Sequence, residues 1–240
     1  MKRICAVACV LGTIACLGRA ADPVAFTPTA DEVVRRLVEM DKRRASALAH
    51  YVSERRYFAE NRKFAKHAEV DVQESYVPPD QKELKIVSES GSTVIRRRVI
   101  DKLIEAELDA IRDDNRDQTH ITPENYTFHL SGSEKSDGYS CFILDVIPRS
   151  AKKYLMRGQI WVNKNDFAIV RMEGSPAKTP SIWTRRVRFV RRYEKHGEFW
   201  LPASLESESE IFIAGKSTLK IEYSDYRIEP REPRVVSASR

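Results

Sequence analysis

Gln159-Ile-Trp-Val-Asn-Lys-Asn-Asp-Phe-Ala-Ile-Val-Arg-Met-Glu-Gly174 sets two short apolar runs on either side of the polar cluster Asn163 to Asp166, a pattern that predicts a β-hairpin. Just upstream, Cys141-Phe-Ile-Leu-Asp-Val-Ile147 is apolar on both alternating faces apart from Asp145. Neither side of that strand is therefore given wholly to water, and both faces need cover. The chain offers two convincing helices for the purpose, which leaves part of the apolar surface for a ligand.

The first helix is announced by Thr29-Ala-Asp-Glu32, a capping box in which the Thr hydroxyl and the Glu carboxylate satisfy the first free amides. Val33, Leu37, Met40 and Leu48, with Val34 and Ala45 beside them, extend an apolar stripe as far as Ala49. Ser92 caps the second helix, Thr93 to Asp113, whose apolar positions Ile95, Val99, Leu103, Ala106 and Ala110 recur at three and four residues. Its opposite face, with Arg96, Arg97, Lys102, Glu105, Asp109 and Arg112, belongs in water.

Between the helices, Tyr51 to Glu60, Glu69 to Val77 and Glu83 to Glu89 read as strands. After the second helix come Tyr126 to Leu130, Tyr139 to Ile147, Leu155 to Val162, Phe167 to Glu173, Trp183 to Tyr193, Glu198 to Leu205, Glu208 to Ile213 and Ser217 to Ile228. Turn chemistry joins them, as at Ser136-Asp-Gly138 and His196-Gly197. The class is α+β and mostly β: an antiparallel sheet of about 11 strands, too long to stay flat, curled under two or more helices on its concave side.

The face with Phe142, Leu144, Val146, Ile160, Val162, Ala168, Val170, Met172, Leu219, Ile221 and Tyr223 carries no charge and is assigned to the inside. Ile143, Trp161 and Ile169 then point outward, unless a bulge reverses part of the assignment.

Met1 to Ala20 follows the plan of a secretory signal peptide: Lys2 and Arg3, an apolar run from Ile4 to Leu17, then Gly18-Arg19-Ala20 before a cut at Ala20/Ala21. Thr13-Ile-Ala-Cys16 is a loose match to a bacterial lipoprotein cleavage box, the alternative in which Cys16 carries a lipid anchor. Removing Lys2, Arg3 and Arg19 takes the formal charge from +6 to +3, an ordinary surface balance. Cys5, Cys9 and Cys16 leave with the leader, so Cys141 has no disulfide partner despite export. The remaining chain of about 220 residues suffices for one core, and residues 21–240 read as a single domain.

Chemistry is hard to find. The five histidines lack the spacing of a helical metal site, and no nucleophile elbow, phosphate-binding glycine loop or dinucleotide fingerprint occurs. No enzyme, metal or cofactor is expected. Arg185, Arg186, Arg188, Arg191 and Arg192 crowd the Trp183 strand, reading as a polar outer face near a sheet edge. The sharper alternative is contact with an acidic membrane surface or partner protein; export and the modest net charge speak against nucleic acid.

Ile160-Trp-Val-Asn-Lys-Asn-Asp-Phe-Ala-Ile-Val-Arg-Met-Glu173, Phe199-Trp-Leu-Pro-Ala203 and Ile221-Glu-Tyr-Ser-Asp-Tyr226, behind an amino-terminal helix and a leader, resemble the LolA-like outer-membrane lipoprotein-sorting proteins. The likeness extends to the sensor domain of RseB-type regulators and the LolA/LolB/RseB-like fold they share. It implies a periplasmic protein with a half-open antiparallel barrel, helices as a lid, and an apolar cavity for lipid or a lipidated protein, handed between membrane-anchored donors and acceptors.

No cargo-contacting residue transfers from the family onto this sequence. The cavity candidates therefore come from strand alternation: Phe142, Leu144, Val146, Ile160, Val162, Val170, Met172, Leu219, Ile221 and Tyr223. In the alternative role, an envelope sensor or scaffold that binds a regulatory protein, Trp161, Ile169, Arg185 and Arg188 form the docking patch.

Overall fold

The computed structural model describes residues 28–179, 184–212 and 214–232. The expected leader, residues 1–20, and Cys16 lie outside them. Helix α1, Ala30–Ala47, begins where the Thr29 hydroxyl accepts a hydrogen bond from the Glu32 amide at 3.2 Å, as the capping box predicts. It runs directly into β1, Leu48–Asn61, which is followed by β2, Lys66–Val77, and β3, Gln81–Gly91.

The second helical stretch departs from a simple α-helix. A short α2, Thr93–Ile95, capped by Ser92, passes through a π-turn at Arg96–Ile100 into α3, Asp101–Ala110. The extra residue of the π-turn brings Ile100 onto the buried face beside Ile95, Val99, Leu103 and Ile104. After a single turn, α4 at Asp113–Arg116, the chain enters a meander: β4 Tyr126–Ser136, β5 Tyr139–Pro148, β6 Met156–Asn163, β7 Ile169–Pro176, β8 Thr184–His196, β9 Phe199–Ile211 and β10 Gly215–Pro230.

All ten strands form one antiparallel sheet in the order β3-β2-β1-β10-β9-β8-β7-β6-β5-β4. The last strand closes onto the first, with Leu48 opposite Pro230 and Asn61 opposite Ser217. Two expected strands, Glu198–Leu205 and Glu208–Ile213, are one continuous strand, β9, so the sheet has ten strands. The sheet is curved and open, mostly β, with helices on the concave side, as expected.

Beneath each helical stretch lies a separate core. Val33, Val34 and Leu37 of α1 pack on Leu144, Val146, Ile160 and Val162 of β5 and β6. Ile100 and its neighbours pack on Tyr57, Val70, Val72 and Ile221 of β1, β2 and β10.

Four charges fasten the second core. Glu74 of β2, fully buried, accepts from Arg55 Nε at 2.7 Å, Ser53 Oγ at 2.9 Å and the Tyr51 hydroxyl at 3.0 Å. Lys82 of β3 lies 3.0 Å from Glu74 and 2.7 Å from Glu107 of α3. Arg55 and Lys82 thus balance Glu74 and Glu107, the condition under which buried charge is tolerable.

The hairpin of β6 and β7 contains the reversal that alternation permits. Trp161 pairs with Arg171 and Val162 with Ile169, leaving Val170 as an extra residue in a β-bulge. The shift turns Ile169 inward and Val170 outward, the opposite of the expected assignment. Val170 packs with Cys141 and Trp161 on the convex side, in a small cluster completed by Tyr139, Ile143 and Trp200.

Candidate functional site

A cavity of about 800 Å³ lies between the two cores, roofed by α1 and the Thr119–Thr122 segment and floored by β7, β8 and β9. Leu37, Val38 and Ala45 of α1, with Leu48 at the start of β1, supply an apolar roof. The floor comes from strand alternation: Ile169 and Met172 on β7, Phe189, Arg191 and Tyr193 on β8, and Phe199, Leu201 and Leu205 on β9. Tyr126 and Met156 close one end, where the Met156 amide donates to the Tyr126 hydroxyl at 3.1 Å.

Polar groups gather under the roof. Arg44 donates to the carbonyls of Asp166, at 3.0 Å, and Phe167, at 3.4 Å, tying α1 to the tip of the β6–β7 hairpin. The Asp166 carboxylate in turn accepts from Lys195 Nζ at 2.8 Å and Trp200 Nε1 at 3.0 Å, so one turn clasps α1, β8 and β9 together. Asp41 projects into the cavity, where its surface is accessible although protein surrounds it. That enclosure raises its carboxyl above the ordinary range, against the opposing pull of Arg44 and His120. Burial likewise lowers the Arg44 guanidinium, opposed by Asp41 and Asp166.

Few of the residues assigned to the cavity from sequence line it. Met172 does. Phe142, Leu144, Val146, Ile160 and Val162 face inward but are consumed by the core under α1, and Leu219, Ile221 and Tyr223 by the core under α3. Val170 is on the other face altogether. A strand that faces inward beneath a helix is filled by that helix; only strands left between the two helices can wall a void.

The docking residues move as well. Trp161 is 5 % exposed, its indole donates to Glu134 at 2.6 Å, and the Arg171 guanidinium lies over its ring, 4.6 Å from the centroid. Ile169 lines the cavity. Strand β8 is interior to the sheet, not at an edge, and register sets Arg186 opposite Glu210 and Arg188 opposite Glu208 on β9. Arg188 is exposed, but an acidic ladder of the same chain faces it. Arg185 is in β8; its side chain lies outside the described residues.

Phe189, Arg191, Tyr193, Phe199 and Leu201 went unassigned as a cavity wall from sequence. Their signal was the period-two spacing within β8 and β9, masked in β8 by arginines on both faces.

Among the described residues no group of three or more His, Cys, Asp or Glu side chains is placed to hold a metal ion. No helix among them is long and apolar enough to cross a membrane.

An open antiparallel half-barrel with a roofed apolar cavity defines the class and agrees with the LolA-like resemblance of the sequence. Residues 112–233, just over half of the chain, match the model of a family described as "Uncharacterized protein", and the chain belongs to that family. No curated protein matches. Among solved structures it is similar to a DUF1329 family protein from Desulfovibrio piger, at 16% identity and a TM-score of 0.44 over 89% of this chain and 96% of that one. A putative outer membrane lipoprotein-sorting protein domain from Vibrio parahaemolyticus has 14% identity and a TM-score of 0.43, covering 83% and 93%. A LolA superfamily protein from Nitrosomonas europaea has 13% identity and a TM-score of 0.41, covering 86% and 96%.

Proposed function

We propose that this protein binds and carries an amphiphile, a lipid or the acyl part of a lipidated protein, in the cavity between its two cores. The observation that supports the reading is the cavity itself. About 800 Å³ of space beneath α1 has Leu, Ile, Met and Phe side chains in its walls that the helix does not fill, within the roughly 300–1,000 Å³ of small-molecule sites. Each methylene taken from water contributes about 0.8 kcal/mol, so an acyl chain has ample driving force. Export to the periplasm, by the leader read at residues 1–20, and a binding rather than catalytic role belong to the same proposal.

The roof supplies a way in. The first half of α1 is anchored by Val33, Val34 and Leu37 in the core beneath it, its second half is held over the cavity by Arg44 and the junction with β1, and α3 is fastened elsewhere by the buried charges. Loading then moves the Arg44 end of α1 and the Thr119–Thr122 segment and leaves α3 in place. Of the docking patch read for the sensor alternative, Trp161 is buried and Ile169 faces the cavity, while Arg188 stays exposed.

Native mass spectrometry of the protein purified from its own cells, with titration of the uncharged dye Nile red, tests the reading. A copurified acyl lipid or saturable one-to-one dye binding is expected. A protein that neither retains lipid nor binds dye is not a carrier.

A further inference from the structure

The cavity floor contains a charge that its own surroundings do not satisfy. On β8, Arg186 and Arg188 are exposed, and Arg192 lies 3.3 Å from Glu206 and 3.7 Å from Asp137. Arg191 instead lines the cavity. Its cross-strand neighbours are Met172 on β7 and Leu205 on β9, and Phe189 and Tyr193 flank it along the strand; all four line the same space. The guanidinium lies over the Tyr193 ring, 5.4 Å from its centroid, and Nε is buried without a hydrogen-bond partner.

No carboxylate among the described residues forms an ion pair with Arg191. The ionisable groups that act on it are Tyr193 and Tyr223, phenols that burial keeps neutral, and Glu107, which is already held by Arg55 at 2.8 Å and Lys82 at 2.7 Å. That cluster is neutral without Arg191, so the charge of Arg191 is left over. Elsewhere in the lining, Asp41 stands against Lys42 and Arg44, which keeps the cavity net positive. A guanidinium in an apolar wall is costly unless an acceptor completes it, and its fork suits carboxylate and phosphate oxygens.

We propose that the ligand is an acidic single-chain amphiphile, whose carboxylate or phosphate head accepts hydrogen bonds from Arg191 while its chain lies along Met172, Phe189 and Leu205. The proposal rests on the cavity binding amphiphiles at all, and the two fail separately. The Tyr193 hydroxyl donates to Met172 Sδ at 3.2 Å, so its hydrogen is already used and the head group relies on the guanidinium for donors.

Displacement of bound Nile red by a matched C12 series is the test: laurate, monododecyl phosphate and 1-dodecanol, on the wild type, Arg191→Gln and Arg191→Lys. On the wild type at least one acid displaces dye at about tenfold lower concentration than the alcohol, and the tighter acid identifies the head group. Arg191→Gln removes that preference while dodecanol binds within about twofold of wild type, and Arg191→Lys keeps part of it. A melting temperature of Arg191→Gln at or above wild type accompanies this result, since that variant loses an unsatisfied charge while Arg191→Lys retains it. Equal binding of acid and alcohol by the wild type, or an acid preference that survives Arg191→Gln, overturns the proposal and leaves the cavity reading standing. Failure of dye, acids and alcohol alike removes both.

Discussion

Arg55 of β1 grips Glu107 of α3 through both carboxylate oxygens, Nη1 to Oε2 at 2.8 Å and Nη2 to Oε1 at 2.9 Å. This two-pronged bond crosses from the sheet to the helix that covers it. Removing one partner strands the other charges in a site that water barely enters. Glu107→Gln and Arg55→Met are each expected to destabilise the fold by about 3–5 kcal/mol in urea titrations. A loss below about 1 kcal/mol would show that the cluster is hydrated and unimportant.

The same cluster sets the acid limit of the protein. Burial disfavours ionised Glu74 and Glu107, but Lys82 and Arg55 outweigh it and hold both carboxyls below their ordinary 4.5. A depressed folded-state value means that the folded form releases protons more readily than the unfolded one. The stabilisation is therefore complete above the unfolded value and is lost as pH falls through the folded ones. Stability should be level above about pH 5 and decline steeply below about pH 4. Glu74→Gln, though less stable throughout, should show a shallower decline in denaturation curves recorded across that range.

Cavity occupancy is expected to depend on residues of β7 and β8. Ile169→Asp or Phe189→Asp should weaken Nile red binding at least about tenfold with a near-native circular dichroism spectrum, since the charge enters a space already open. Leu144→Asp, in the packed core under α1, should unfold the protein instead. Undiminished dye binding by both cavity variants would place the ligand elsewhere.

Strands β6 and β7 set Gly158 opposite Gly174. A Cβ on Gly158 would lie 2.0 Å from the Glu173 carbonyl oxygen, and one on Gly174 would lie 2.2 Å from that of Arg157. The obstacle in each case is backbone, which cannot rotate away. Gly158→Ala and Gly174→Ala should each cost about 1–3 kcal/mol by thermal or urea unfolding; a neutral alanine at either site would mean that the strands separate there.

Cys141 is buried in the convex cluster, and burial pushes its thiol up to about 11. Labelling by a disulfide reagent at pH 8 should be slower by about a hundredfold or more in the native state than in urea, because the thiolate is the reacting form. Prompt labelling of native protein would contradict the packing of β5 against Trp161.

Much of the fold follows from local chemistry. Thr29 and Glu32 start α1 where the capping box requires, and the alternation of Phe142, Leu144 and Val146 sets the inner face of β5. Where alternation is degenerate, local chemistry has nothing to say. Ala168, Ile169 and Val170 are all apolar, so either register satisfies the pattern, and the bulge that sets Val170 with Trp161 leaves no mark in the sequence. Glu206 to Glu210 resembles a polar break between strands; in the sheet it is the outer row of β9 that answers Arg186 and Arg188 of β8. The cavity depends on where two helices come to rest over ten strands, a long-range outcome that no window of sequence contains. Its arginine was hidden for the same reason, because Arg191 differs from Arg186 and Arg188 only in parity along one strand.

The pairing of β1 with β10 has a kinetic side. Strands β1 to β3 form a ribbon whose remaining partner is β10, with Leu48 opposite Pro230. Until β10 is available that ribbon has no neighbour on its β1 side. Contacts so distant in sequence are slow to form. The seam is therefore the slow step of assembly: however quickly β1 to β3 and the meander form, the sheet is complete only when its two ends in sequence meet.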